Sequence, residues 1–173
     1  MLRKFGIIAV LSLIVTAIAA VPALAVAPLT VEETGGLHVC QGSALDITAT
    51  TDPVEGKILT ATGEVCGAGQ TATATISANA GATVGCVTRG GGEPSGLEEV
   101  STAVVASETF PTRAGRGTVD VSTEGLTIED FDFSCPSRQQ TEVLIGPVTF
   151  TDVTLTITST SGEIVATFPD IDP

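Results

Sequence analysis

Neither tryptophan nor tyrosine occurs in the chain, histidine and methionine occur once each, and only 7 Lys and Arg stand against 20 Asp and Glu. Each scarcity argues against a class of function. Nucleic-acid binding draws most of its affinity from Lys and Arg neutralising phosphates. A formal net charge of -13 therefore speaks against a nucleic-acid partner, and an anionic membrane surface would repel the chain in the same way. Sugar rings usually stack on indole or phenol platforms, and six Phe are a poorer substitute without a polar handle, which weakens glycosidase and lectin readings alike. A serine hydrolase needs a base, and His38 is the lone imidazole. No Gly-x-Ser-x-Gly elbow presents a nucleophile either: in Gly92-Glu93-Pro94-Ser95-Gly96 the serine comes one place late. Lys57 follows a turn-like Asp52-Pro53-Val54-Glu55-Gly56 and reads as solvated rather than as a partner for a serine.

What is present describes an exported, folded chain. With 43% hydrophobic and only 16% charged residues, it is too apolar for a disordered acidic tail, so a packed core is expected. Arg3 and Lys4 precede an almost unbroken apolar run over 5–20, and Val21-Pro22-Ala23-Leu24-Ala25 supplies a small-residue exit, the three parts of a secretory signal peptide in order. Cleavage after Ala25 is preferred to cleavage after Ala27, which would place Pro28 directly after the scissile bond. The competing reading is an uncleaved anchor, because 7–27 nearly matches the length of a bilayer span, but Pro22 and the small residues disfavour it. Segments 1–25 and 26–173 are thus read as signal peptide and single secreted domain. Removing the first takes away two bases and no acid, which deepens the charge and favours a soluble monomer without membrane attachment.

Period-two alternation rich in Thr, Val and Ile runs through 45–51, 57–66, 71–78, 82–89, 100–110, 117–122 and 142–159, with a bend expected at Gly146-Pro147. Ser161-Gly162 then turns the chain into a return strand over 163–168. Thr71-Ala72-Thr73-Ala74-Thr75-Ile76 sets threonines on one face and apolar groups on the other, and 151–158 repeats the pattern with Val153, Leu155 and Ile157 inward. Helical periodicity is almost absent beyond the first segment. About eight or nine strands predict an all-β fold, an antiparallel, immunoglobulin-like β-sandwich, with a barrel as the alternative.

Four cysteines, Cys40, Cys66, Cys86 and Cys135, in an exported chain predict two disulfides. Three pairings are possible. Cys40 with Cys66 and Cys86 with Cys135 is favoured, because the first spans one hairpin and the second ties a central strand to a late one. Zinc is disfavoured by the missing C-x-x-C spacing.

The string Cys86-Val87-Thr88-Arg89-Gly90-Gly91-Gly92-Glu93-Pro94-Ser95-Gly96 resembles a C-x-N-x-G-G-N-x-P-x-G motif of small secreted hypothetical proteins of streptomycetes and related actinobacteria. Phe133-Ser134-Cys135-Pro136 and the strand Phe150-Thr151-Asp152-Val153 fit the same resemblance in the same order. Thr88 and Gly92 depart from it, standing where asparagines are usual, which leaves the conformation of that turn open. The resemblance implies a secreted, disulfide-linked β domain, supports the pairing of Cys86 with Cys135, and carries no assigned activity.

The most defensible local cluster of ligand-type side chains is Glu129-Asp130-Phe131-Asp132-Phe133-Ser134. In a strand, Asp130, Asp132 and Ser134 share one face while both phenyl rings enter the core. Glu129, Asp130 and Asp132 are the calcium candidates, through hard oxygen ligands, although no calcium-loop motif is present; a solvated edge is the plainer reading. No other cofactor and no catalytic set is expected. The sequence is read as a non-enzymatic, extracellular or cell-envelope interaction protein whose partner is an envelope component or another extracellular protein. The alternatives are a secreted hydrolase using carboxylates and a calcium-stabilised binding module.

Overall fold

The computed structural model describes residues 25–52 and 56–171. The expected signal peptide, up to residue 24, and most of the expected turn at 52–55 lie outside the described residues. Ten strands form two five-stranded antiparallel sheets. In the first, β1 (Ala25–Val26) pairs with β4 (Asp46–Asp52), and β4 with β5 (Gly56–Cys66). Beyond β4, the same edge of β5 receives β3 (His38–Val39), while β8 (Gly117–Ser122) takes its other edge. The second sheet runs β2 (Thr30–Gly35), β10 (Gly162–Thr167), β9 (Gln140–Ser159), β6 (Thr71–Thr88), β7 (Ser95–Pro111). An all-β, sandwich-type fold is therefore what the alternation built. The strand number exceeds the expected eight or nine because β1 and β3 are two residues long and β2 is exposed throughout, so none carries an alternating signal.

The alternation explains the packing. In β8, Gly117, Val119 and Val121 are buried while Thr118, Asp120 and Ser122 face water. Buried side chains of both sheets meet in one cluster, with Ile47, Leu59, Val119 and Val121 from the first sheet and Ile76, Phe150, Leu155, Ile157 and Ile164 from the second. Phe150 heads the largest fully buried side chains. The threonine pattern of β6 also holds: Ala72, Ala74 and Ile76 are buried, and on the outer face the hydroxyl of Thr73 bonds that of Thr109 at 2.8 Å and Thr75 bonds Ser107 at 2.9 Å.

Two expectations change in detail. The runs 71–78 and 82–89 are one strand, because Asn79 and Gly81 pair on both sides, with Ala103 and Ser101 of β7 and with Thr151 and Thr149 of β9. The bend at Gly146-Pro147 is a bulge within β9: Thr83 pairs with Ile145 and Gly81 with Thr149, so the extra residues bow outward, with Gly146 at φ 83°. A second bulge at Asp152 (φ 53°) switches the buried residues from 148 and 150 to Val153, Leu155 and Ile157, and Asn79 Nδ2 donates to its carboxylate at 3.0 Å.

Past these bulges β6, β7 and β9 continue as a three-stranded arm in which residues 95–99 of β7 are wholly exposed and Val84 and Cys86 supply the burial. The disulfides pair Cys40 with Cys66 and Cys86 with Cys135, as favoured from the sequence. The first closes the β3 end of the first sheet. The second fastens the arm to the irregular segment between β8 and β9.

Candidate functional site

The segment 129–134 is not the strand its alternation suggested. Ile128–Asp130 forms a short 3-10 helix capped by Thr127. Asp130 Oδ2 accepts the Thr127 backbone N–H at 2.7 Å and the Thr127 hydroxyl at 3.0 Å, while Thr127 Oγ1 accepts the N–H of Glu129 at 3.3 Å. Such side-chain to backbone bonds compete with a ladder, and here they win. The apolar half of the expectation survives, since Phe131 is buried and Phe133 half-buried. The polar half does not: Asp130 turns back on its own cap, and Glu129 and Asp132 are exposed without sharing a strand face. Among the described residues no group of three or more His, Cys, Asp or Glu is placed to hold a metal ion.

His38 sits in β3 of the first sheet with Nδ1 3.0 Å from the Gly36 carbonyl oxygen. Ser95 opens β7 of the second sheet and donates to the Cys86 carbonyl at 3.4 Å. The fold thus separates the two side chains on which a serine mechanism would depend. Lys57 lies half-buried within β5, and its backbone bonds Leu126 in both directions, at 2.9 and 3.2 Å. The string from Cys86 to Gly96 covers the end of β6, the turn at the tip of the arm and the start of β7, and Thr88 Oγ1 donates to the Gly91 carbonyl at 3.2 Å, securing that turn.

The concave feature that combines charge with free backbone lies where β7, the last strand of the second sheet, runs past β8, the last strand of the first. A groove of about 670 Å³ is lined by residues 102–108 of β7, by Val121 and Ser122 of β8, and by Glu124, Gly125, Leu126 and Asp130. β7 pairs only with β6, so alternate N–H and C=O groups along 102–108 point away from the sheet. Among the described residues, no backbone bond outside the ladders involves that stretch. The lining carries Glu108, Glu124 and Asp130 and no base. A second depression of about 660 Å³, along 81–83, 99–101 and the bulge of β9, carries only Glu99.

The far wall of the groove is held by main-chain bonds. Thr123 is the one buried polar side chain among the described residues. Its N–H donates to the Leu59 carbonyl at 2.9 Å, and its Oγ1 accepts the Leu59 N–H at 3.0 Å. With the Lys57 and Leu126 pair, this prolongs the β5 ladder and leaves Glu124 and Gly125 facing the groove. Thr123→Val keeps the shape and orphans the Leu59 N–H, so a loss of about 1–3 kcal/mol in unfolding free energy is expected from urea denaturation.

Sequence reasoning identified Asp130 as a surface carboxylate and the 100–110 strand, but not their convergence, because a seam between two sheets leaves no local signal. Comparison with known protein families, with curated proteins and with solved structures finds no match.

Proposed function

We propose that the chain acts after export as a non-enzymatic β-sandwich that docks a partner outside the cell or in the cell envelope, and that it belongs with the small secreted actinobacterial proteins its cysteine and glycine motif resembles. The observation that carries this reading is the long groove beside an unpaired strand edge, since binding concentrates where a rigid sheet presents free backbone or loops. Two disulfides with no free cysteine among the described residues fit an oxidising compartment, and no helix of the described residues is long and apolar enough to cross a membrane. In the expected mature protein, which starts at Val26, that residue keeps its pairing with Ile47.

A carboxylate-based hydrolase is the second reading, because Glu108, Glu124 and Asp130 line one groove. The two bonds that commit Asp130 Oδ2 to the Thr127 cap favour the docking role instead.

The test uses a photo-crosslinking side chain at Val105, in the groove, and at Thr156, paired through β10 and β6 well inside the second sheet, with both proteins expressed in the producing cells. Docking predicts an adduct from position 105 and none from 156, in the medium or the envelope fraction, on a chain whose N-terminal sequence begins at Val26. Equal labelling from both positions, or none from 105, overturns the docking role; retention of Met1 on the recovered protein overturns cleavage.

A further inference from the structure

The groove has the form of a strand-acceptor site. Its β7 wall consists of seven consecutive residues, 102–108, which at about 3.4 Å per residue span roughly 20 Å, the length of an ordinary strand. Val105, on the outer face of that strand, is 67% exposed although it is a large apolar residue in a regular ladder. On the inner face Val104 is buried and Ala106 half-buried, no proline interrupts 102–108, and among the described residues no backbone bond outside the ladders reaches that stretch. An extended chain laid beside it would complete the unpaired N–H and C=O groups and cover Val105.

Charge selects the occupant. Glu108 stands on the β7 face turned toward the other sheet, in register with Ala74, while Glu124 and Asp130 line the opposite wall, Asp130 with its Oδ2 bonded to the Thr127 cap. Three carboxylates without a base repel an acidic strand, including β7 of a second copy, which would bring its own Glu108. Inward charges at an edge are a device against indiscriminate strand pairing. They leave one class of strand favoured, because Lys or Arg at alternate positions meets a carboxylate on each wall, and the chain's large excess of acidic over basic residues, deeper still without Arg3 and Lys4, draws such a segment in.

We propose, building on the docking role above, that the 102–108 edge of β7 accepts an extended, basic polypeptide segment as an added antiparallel or parallel strand, with its Lys or Arg side chains toward Glu108, Glu124 and Asp130.

The probes are a blocked ten-residue peptide of alternating lysine and valine, its glutamate and valine counterpart, and two versions of the lysine peptide N-methylated at odd or at even positions. Titration is followed by amide hydrogen exchange and NMR shifts of the folded, oxidised protein at low salt. The lysine peptide is expected to slow exchange at alternate amides within 102–108, to lose this effect in one N-methylated phase and keep it in the other, and to weaken as salt is raised. The double variant Glu108→Gln and Glu124→Gln removes two exposed charges and is expected to weaken binding roughly three- to tenfold without changing the fold. Protection of the same amides by the glutamate peptide overturns the charge selection. Concentration-dependent protection without any peptide means that a second copy is the occupant and overturns the basic strand. Binding that leaves 102–108 unprotected, or no binding, overturns strand addition; an adduct from Val105 in cells would then still uphold docking, whereas its absence would remove both.

Discussion

Phe150→Ala is expected to lower the unfolding free energy by about 3–5 kcal/mol, the largest effect of any single core substitution in this chain. Phe150 is fully buried, pairs with Ala80 of β6, and exchanges two backbone bonds with Ile171, at 2.8 and 2.9 Å. Its neighbours across β6 are small: Ala78, Ala80 and Ala82 line the inner face beside it. Alanines have no longer rotamer with which to reach into the vacated volume, so the cavity would stay open, and the cost of a large-to-small change rises with the cavity that remains. Leu is expected to recover part of the loss and Ala none. The measurement is a urea midpoint followed by far-ultraviolet circular dichroism, because a chain without Trp or Tyr offers no useful intrinsic fluorescence. A loss below about 1 kcal/mol for Phe150→Ala would mean that the sheets close over the site, and that the alanine-lined centre is not rigid.

The second large effect is expected from the disulfide between Cys86 and Cys135. Replacing both with serine frees a loop of 49 residues, and the chain-entropy relation puts the loss at about 4 kcal/mol; the 26-residue loop between Cys40 and Cys66 gives roughly 3.5 kcal/mol. By loop length alone the two deletions would thus be nearly equal. The native structure predicts that they differ in where the protein opens. Cys86 lies on the arm beyond the bulges, where 95–99 have no buried side chain and the 129–139 segment has few main-chain bonds to hold it. Without this bond, faster amide exchange is expected at 83–88, 95–100 and 140–145, while 72–78 and 153–157 keep the protection of the central core. Without the Cys40 to Cys66 bond, the faster exchange is expected at β3 and the end of β5. Uniform acceleration in either variant would show that the arm and the sandwich unfold as one unit.

The groove touches both the core and the arm. Its β7 wall is the middle of a strand whose beginning belongs to the arm and whose end, at Phe110, belongs to the core. The other wall hangs on Thr123 and Leu126. Loosening of the arm alone should therefore leave 102–108 in place, and the lysine peptide should still protect those amides in the variant lacking Cys86 and Cys135.

The class of fold and most strand positions are legible in the amino-acid sequence. Side chains alternate across a strand with period two, and burial on one face leaves that period in the residues: β8 falls at 117–122 as read, and Val153, Leu155 and Ile157 point inward as read. The cysteine pairing was also within reach, because four residues allow only three pairings. Where no face is buried there is no period, which is why Thr30–Gly35, exposed along its whole length, carried no strand signal. Where a short polar side chain bonds its own backbone, alternation misleads, as at Thr127 and Asp130. That Glu108, Glu124 and Asp130 share a groove and that 102–108 is an edge emerges only in the folded chain. Both depend on the order of strands in the sheets and on the way two sheets close on one core, and those follow from contacts between residues distant in the chain, which no local pattern encodes.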